Sequence, residues 1–239
     1  MWVIAHRGGG GTWPENTLLA IGRAIDCGVD WVEIDIRIAD GAIIVLHDDT
    51  LDRTTNGHGS VYEYPLTTLR ELDAGKGEKI PLLEEVMGLV NARVGLNIEI
   101  KQPDTAQQLV EFTTAYLRRQ PNWRNRLMFS SFLPEIMAEL ATSAPAGCLL
   151  GALSEETTPE SARRGAAIDA FSLNISLRQL SISLVQEAHG QGLKVLVYTV
   201  NEIEDIRRCV ESSVDGVFTD FPERVIAFLD NSLMIPGNE

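Results

Sequence analysis

WVIAHRGGGGTWPENTLLAIGRAIDCG, residues 2 to 28, is the stretch whose reading decides the fold. A short apolar run ends in a histidine and an arginine, four glycines follow, and a helical pattern then begins. Leu18, Ile21, Ala24 and Ile25 share one face of that helix, and Gly28 supplies a left-handed stop. An open dinucleotide-binding fold would also put glycines after its first strand, but spaced G-x-G-x-x-G and running straight into a helix. Gly8 to Gly11 do not follow that spacing, and Trp13-Pro14 intervenes. Four consecutive glycines instead suggest a backbone that curls tightly and leaves room for something to lie against it.

The same alternation of short apolar run and amphipathic helix continues along the chain. Strand candidates fall at 2–5, 31–36, 42–47, 94–100, 127–132, 148–153, 168–174, 193–200 and 215–220. Repeated β–α units of this length point to a parallel sheet, and the strand count favours closure into an eight-stranded barrel. Nine candidates compete for eight places. The irregularity is expected at 36–42, where Asp40-Gly41 joins two strands with no room for a helix. Residues 49–80 are polar and too long for a plain loop, and read as a small insertion over one end of the barrel. We therefore expect one domain over residues 1–230, with a loosely held tail at 231–239.

Composition narrows the function. The 239 residues carry a formal charge of −14, which argues against nucleic acid and against an anionic membrane surface. An acidic chain that handles an anionic substrate must build a local positive site. Cys27, Cys148 and Cys209 have no metal-type spacing and read as reduced thiols. With neither a leader-like start nor a membrane-length apolar run, a cytoplasmic protein is expected.

The polar residues gather where strands end. Glu33 and Asp35 stand two apart in VEIDI, and so do Glu99 and Lys101 in LNIEIK, so each pair shares a face. Barrel strands bury both faces, and charge there is costly unless paired or metal-bound. Three acids on two inward strand ends call for a cation between Glu33, Asp35 and Glu99. Their hard oxygens favour Mg²⁺, Ca²⁺ or Mn²⁺ over zinc. His6 and His47 end neighbouring runs and suit proton transfer near neutral pH, whereas His58 and His189 are assigned to surface or packing. Arg7 and Lys101 bring fixed positive charge suited to phosphate. Together these groups match the hydrolysis of a phosphodiester.

In order along the chain, HRGGGGTWPENT, VEIDIRIADGAIIVLHDDTLDRTTNG, ELDAG with IPLLEEV, LNIEIK, FSSF, VYTVN and DGVFTDFP resemble the glycerophosphodiester phosphodiesterases. The resemblance runs from residue 4 to about residue 222. It implies a TIM barrel with the small insertion after the third strand, His6 and His47 as acid–base pair, and Glu33, Asp35 and Glu99 holding one divalent cation. Arg7 and Lys101 would bind phosphate. The implied reaction converts a glycerophosphodiester, such as glycerophosphocholine or glycerophosphoethanolamine, to sn-glycerol 3-phosphate and the free alcohol. The glycine loop would then turn away beneath the substrate while His6 and Arg7 face it, with Pro14 and Glu15 beginning the first helix. Tyr198 stands where the family usually has tryptophan. The alternatives are a lysophospholipase D, which needs an apolar groove for an acyl chain, and a non-catalytic binder of phosphate esters. Which histidine is acid, which metal is used and how many chains assemble are not legible.

Overall fold

A computed structural model describes residues 1–103, 105–155 and 158–233; most of the expected tail, 234–239, lies outside them. Among the described residues nine strands form one sheet: β1 (Trp2–Ala5), β2 (Trp31–Ala39), β3 (Ala42–Val45), β4 (Gly95–Ile100), β5 (Leu127–Ser131), β6 (Cys148–Ser154), β7 (Ser172–Ser176), β8 (Lys194–Tyr198) and β9 (Gly216–Thr219). All but β3 run parallel, in the order β1-β9-β8-β7-β6-β5-β4-β2, and β1 pairs with β2 to close the cylinder. The fold is a TIM barrel with one extra strand.

The surplus strand is β3. It runs antiparallel to β2, with Ile36 opposite Val45 and Ala39 opposite Ala42. Asp40 and Gly41 make the tight turn at φ of 48° and 75°. Positive φ at both central residues matches the right-handed strand twist, and Asp-Gly adopts it readily.

Period-two alternation separates the inside of the barrel from the outside. Along β2, Val32, Ile34 and Ile36 join the apolar layer under the helices, as do Leu96, Ile98 and Ile100 along β4. The alternate positions face inward. Ile4, Met128, Leu196 and Phe218 fill the middle of the cylinder. Gly95 leaves the space that the Trp31 ring takes, since a Cβ there would fall 2.2 Å from the indole. An apolar plug thus closes the middle and lower barrel, and the polar residues are stacked above it at the carboxyl ends of the strands. That end is where this architecture carries its sites.

The helices between the strands are α1 (Leu18–Cys27), α2 (Leu66–Leu69), α3 (Leu83–Val90), α4 (Ala106–Arg119), α5 (Pro134–Ser143), α6 (Pro159–Ala167), α7 (Ile182–Gly190), α8 (Ile203–Glu211) and α9 (Pro222–Leu233). Two sequence expectations shift. Helix α1 begins at Leu18 and not at Pro14–Glu15, because Asn16 adopts φ 59° and Thr17 is the cap, its Oγ1 accepting from Ala20 N at 3.2 Å. Strand β7 begins at Ser172 and not at 168, because Asp169 turns the chain at φ 53°.

Residues 49–80 fold over β3 around their own apolar cluster, in which Leu46, Leu51, Val61, Leu69 and Ile80 are buried. Burying such a side chain is worth about 1.5–3 kcal/mol. Antiparallel bridges at Thr50–Ser60 and Ile44–Leu82 fasten the segment. Arg70 then clamps it to α3 through bonds of 2.7 and 2.5 Å to the Glu85 carboxylate.

Candidate active site

Register brings the acids together. Asp35 on β2 lies directly opposite Glu99 on β4, and one oxygen from each of Glu33, Asp35 and Glu99 lies within 4.8 Å of the others. All three are buried, Asp35 completely. Glu33 Oε2 accepts from the Arg7 backbone N at 2.7 Å, whereas its Oε1 is buried with no hydrogen-bond partner among the described residues. Burial, then the charge of Asp35, pushes the Glu33 carboxyl up to about 8. Burial and Asp35 raise Glu99 as well. Burial acts upward on Asp35 too, but Lys101 and Arg7 outweigh it and hold this carboxyl below its ordinary value. Like charges so close cannot all ionise without a counter-charge. A hard divalent cation fits this donor set: oxygens only, one of them carrying an unused lone pair.

The two cations stand against the acids. Lys101 bonds Glu99 and reaches Asp35 Oδ1 at 2.9 Å. Arg7 donates through Nη1 to Glu15 Oε1 at 2.9 Å, and its Nε lies 3.3 Å from Asp35 Oδ2. Both therefore balance the carboxylates while lining the cavity described below.

Each histidine is oriented by a carboxylate. His6 donates from Nδ1 to Asp220 Oδ1 at 2.7 Å, and Asn201 holds Asp220 Oδ2 at 2.7 Å. His47 donates from Nδ1 to Asp48 Oδ1 at 2.6 Å, and Arg37 binds the His47 carbonyl at 3.0 and 2.7 Å. Burial pulls the His6 pKa down, but the Asp220 bond and the Glu33 charge more than offset it, so the net shift is upward. For His47 burial prevails and the shift is downward. With Nδ1 committed in both rings, Nε2 is the nitrogen left to exchange a proton.

A cavity of about 190 Å³ is lined by His6, Arg7, Glu33, His47, Glu99 and Lys101, with Phe132, Leu153, Tyr198 and Phe218 as its apolar wall. Asp35 lies beneath, ion-paired to Arg7 and Lys101. All seven residues singled out from the sequence thus converge. His58 is 85% exposed and bonded to Asp52, and His189 is bonded to Asp215; both lie away from the cavity.

Sequence reasoning gave no role to Asp220, Asn201, Asp48 or Arg53. The first three do follow strand ends, which is the signal that could have found them. Asn16, kept only as a supporting candidate, fixes Asp35 from both sides, donating from Nδ2 at 2.8 Å and accepting from the Asp35 N at 3.1 Å.

Residues 6–224 match the model of the glycerophosphoryl diester phosphodiesterase family. A glycerophosphodiester phosphodiesterase of Caldanaerobacter subterraneus subsp. tengcongensis is 35% identical over 94% of this chain and 96% of its own. One from Bacillus subtilis is 31% identical over 92% of this chain and 84% of its own. The solved structure of an Oleispira antarctica phosphodiesterase, in complex with its product sn-glycerol-3-phosphate, superposes with a TM-score of 0.88 at 30% identity. That superposition covers 96% of this chain and 97% of the other. With the barrel, the acidic cluster and the matched residues in agreement, the chain belongs to the glycerophosphoryl diester phosphodiesterase family of enzymes.

Proposed function

We propose that this enzyme hydrolyses small glycerophosphodiesters to sn-glycerol 3-phosphate and an alcohol, using His6 and His47 as the acid–base pair. The carrying observation is that both imidazoles, each with Nδ1 fixed on a carboxylate, line one small cavity with Glu33 and Glu99. Glu33, Asp35 and Glu99 would hold the divalent cation, Mg²⁺, Ca²⁺ or Mn²⁺. Bound there, it supplies Lewis-acid compensation of charge on the phosphoryl oxygens.

Arg7 and Lys101 orient the phosphate and balance its charge as the transition state forms. One imidazole takes the proton of the attacking hydroxyl. With water as the attacking hydroxyl, the other gives a proton to the oxygen of the departing alcohol as the P–O bond to it breaks. The H and OH of one water thus end on the alcohol and the phosphate, and the product monoester keeps the single charge of the diester. The free state of Cys27, Cys148 and Cys209 supports a reducing, cytoplasmic setting. No helix among the described residues is long and apolar enough to cross a membrane.

The test is turnover of glycerophosphocholine by the chelated enzyme with each cation restored, alongside His6→Ala and His47→Ala. The expected products are glycerol 3-phosphate and choline, with each variant losing on the order of 10²- to 10⁴-fold in rate. Retained turnover in either variant would remove that histidine from the mechanism.

One observation favours a lysolipid as an alternative substrate. A cavity of about 630 Å³ between α5 and α6 shares Phe132 and Leu153 with the catalytic cavity, and its wall includes Met137, Ile168 and Leu173. Faster turnover of a long-chain lysophosphatidylcholine than of glycerophosphocholine would replace the first reading with this one. A non-catalytic ester binder gains no support from the relatives, which are named as phosphodiesterases.

A further inference from the structure

Arg53 lies within the insertion and touches none of the residues so far given a chemical role. Its side chain is 47% exposed, yet the guanidinium makes four bonds in one fork. Nε and Nη2 donate to the two oxygens of Asp48 at 2.6 and 3.0 Å. Nη1 and Nη2 donate to the two oxygens of Glu15 at 2.7 and 2.8 Å. Asp48 is the carboxylate that orients His47, and Glu15 is the one that holds Arg7. A single planar cation therefore joins the two supports, one on the loop after β1 and the other just beyond β3.

We propose that Arg53 is a positioning residue, whose fork fixes Asp48 and Glu15 relative to one another and thereby holds His47 and Arg7 in register across the cavity. This rests on the roles proposed above for His47 and Arg7. Without the fork, two carboxylates would face each other and repel, and each supported side chain would gain freedom to swing. The Arg53 bonds, then the His47 bond, hold the Asp48 carboxyl well below the usual range. Glu15 is also lowered: burial opposes this, but Arg53 and Arg7 outweigh it. Lysine offers a point charge and cannot reproduce four coplanar bonds.

The insertion supplies what the fork needs, a fixed backbone. Leu51, two residues earlier, is buried in the insertion's apolar cluster, and its N donates to the Gly59 carbonyl at 2.9 Å. Thr55, two residues later, returns both its N and its Oγ1 to the Leu51 carbonyl, at 3.1 and 2.7 Å. Arg53 is thus carried on a closed turn rather than a free loop. A half-exposed ion pair contributes little to stability, typically about 0–1 kcal/mol. A misplaced catalytic group costs far more in rate, up to about 100-fold for a displacement of about 1 Å. Those two magnitudes separate a positioning role from a surface ion pair.

The experiment measures kcat, KM and Tm on glycerophosphocholine for Arg53→Ala, Arg53→Lys, Asp48→Asn and the Arg53→Ala/Asp48→Asn pair, with His47→Ala as control. We expect Arg53→Ala to lose about 10- to 100-fold in kcat while its Tm falls by no more than about 3 °C. Arg53→Lys should not recover the rate. Millimolar guanidinium should restore part of it to Arg53→Ala, and ammonium should not. On the Asp48→Asn background the alanine should cost less than it does in the parent, because the His47 arm of the fork is already released and only the Glu15–Arg7 arm remains to be lost. A kcat within twofold of the parent, full recovery by lysine, or full additivity with Asp48→Asn would overturn the proposal. If His47→Ala is inactive and Arg53→Ala is not, only the role of Arg53 fails. An active His47→Ala removes the reading on which that role rests.

Discussion

His6 and Asp220 stand 214 positions apart in the sequence and 2.7 Å apart in the fold, the imidazole Nδ1–H donating to the carboxylate. Strand β1 pairs with β9, with Ala5 opposite Thr219, so the next residue of each strand meets its neighbour at the carboxyl end of the closing seam. The orientation of one histidine therefore depends on the first and last strands having met.

Replacing Asp220 by Asn should lower the His6 pKa. Burial already pulls that value down, and the Asp220 bond and charge, with Glu33, are what lift it. Removing the carboxylate leaves burial in charge, so the imidazolium gives up its proton at lower pH. An NMR titration of the His6 ring nitrogens reads the shift directly. A loss in kcat on the order of 10²-fold is expected alongside it. An unmoved titration would mean that Asp220 does not tune the ring.

The acidic cluster makes a prediction that does not need turnover. In chelator, Glu33→Gln should be at least as stable as the parent, since it removes one of three crowded carboxylates, and Glu33 Oε1 has no hydrogen bond among the described residues to lose. Adding Mg²⁺ or Mn²⁺ should raise the parent's Tm and leave the variant unchanged. At about 100 times Kd the gain is about 2.7 kcal/mol, or roughly 5–10 °C for a chain of this size. Equal gains in both proteins would show that the ion is held elsewhere.

Much of this was readable from local pattern. Glu33 and Asp35 two apart in VEIDI must share a face, and so must Glu99 and Lys101 in LNIEIK. Asp40-Gly41 announced the hairpin that makes β3 surplus to the barrel. What local pattern missed depends on tertiary partners. Asn16 leaves the helix because its amide is taken by Asp35, a residue on another element. Asp48 and Asp220 stand among the polar residues at strand ends, but nothing local tells that each would take a histidine Nδ1, and Arg53 lies in a polar stretch whose composition reads as solvated surface. Their partners are set by barrel closure and by how the insertion folds back, neither of which leaves a spacing signal.

The glycine loop is tested by a pair of substitutions with opposite outcomes. A Cβ at Gly11 would fall 2.5 Å from the Phe221 ring and 2.9 Å from the Asp220 carbonyl. That carbonyl accepts the Gly11 N–H at 3.0 Å. Gly11→Ala should therefore push the loop off the segment that carries Asp220, costing about 1–3 kcal/mol and lowering kcat. A Cβ at Gly22 in α1 would meet nothing within 4 Å beyond its own helix backbone and chain neighbours, so Gly22→Ala should stabilise by about 0.4–1 kcal/mol with kcat unchanged. Thermal melts and initial rates on the two variants check both signs. Normal stability and rate for Gly11→Ala would show that the close approach is not required.

At the opposite end of the barrel Asp215 offers a pH-linked contribution to stability that leaves the chemistry alone. It accepts from the Val195 N at 2.8 Å, Lys194 Nζ at 2.9 Å and His189 Nε2 at 2.8 Å. Burial acts upward on its carboxyl, but those donors outweigh it and the net shift is downward. A carboxyl whose folded pKa lies below its unfolded value of about 3.9 binds fewer protons folded than unfolded across that interval. Its contribution is therefore complete above the unfolded value and lost as pH falls through it toward the folded one. At pH 7, Asp215→Asn should lower stability by about 1–3 kcal/mol, the cost of losing hydrogen bonds to a charged acceptor. For a chain of this length that is a fall of roughly 2–12 °C in Tm. The gap should narrow below about pH 4, as the parent loses what the variant never had. Activity at pH 7 and a temperature well below both melts should match the parent, since Asp215 lies at the amino end of β9, away from the cavity. A gap that stays constant down to pH 3 would assign the loss to packing rather than to charge.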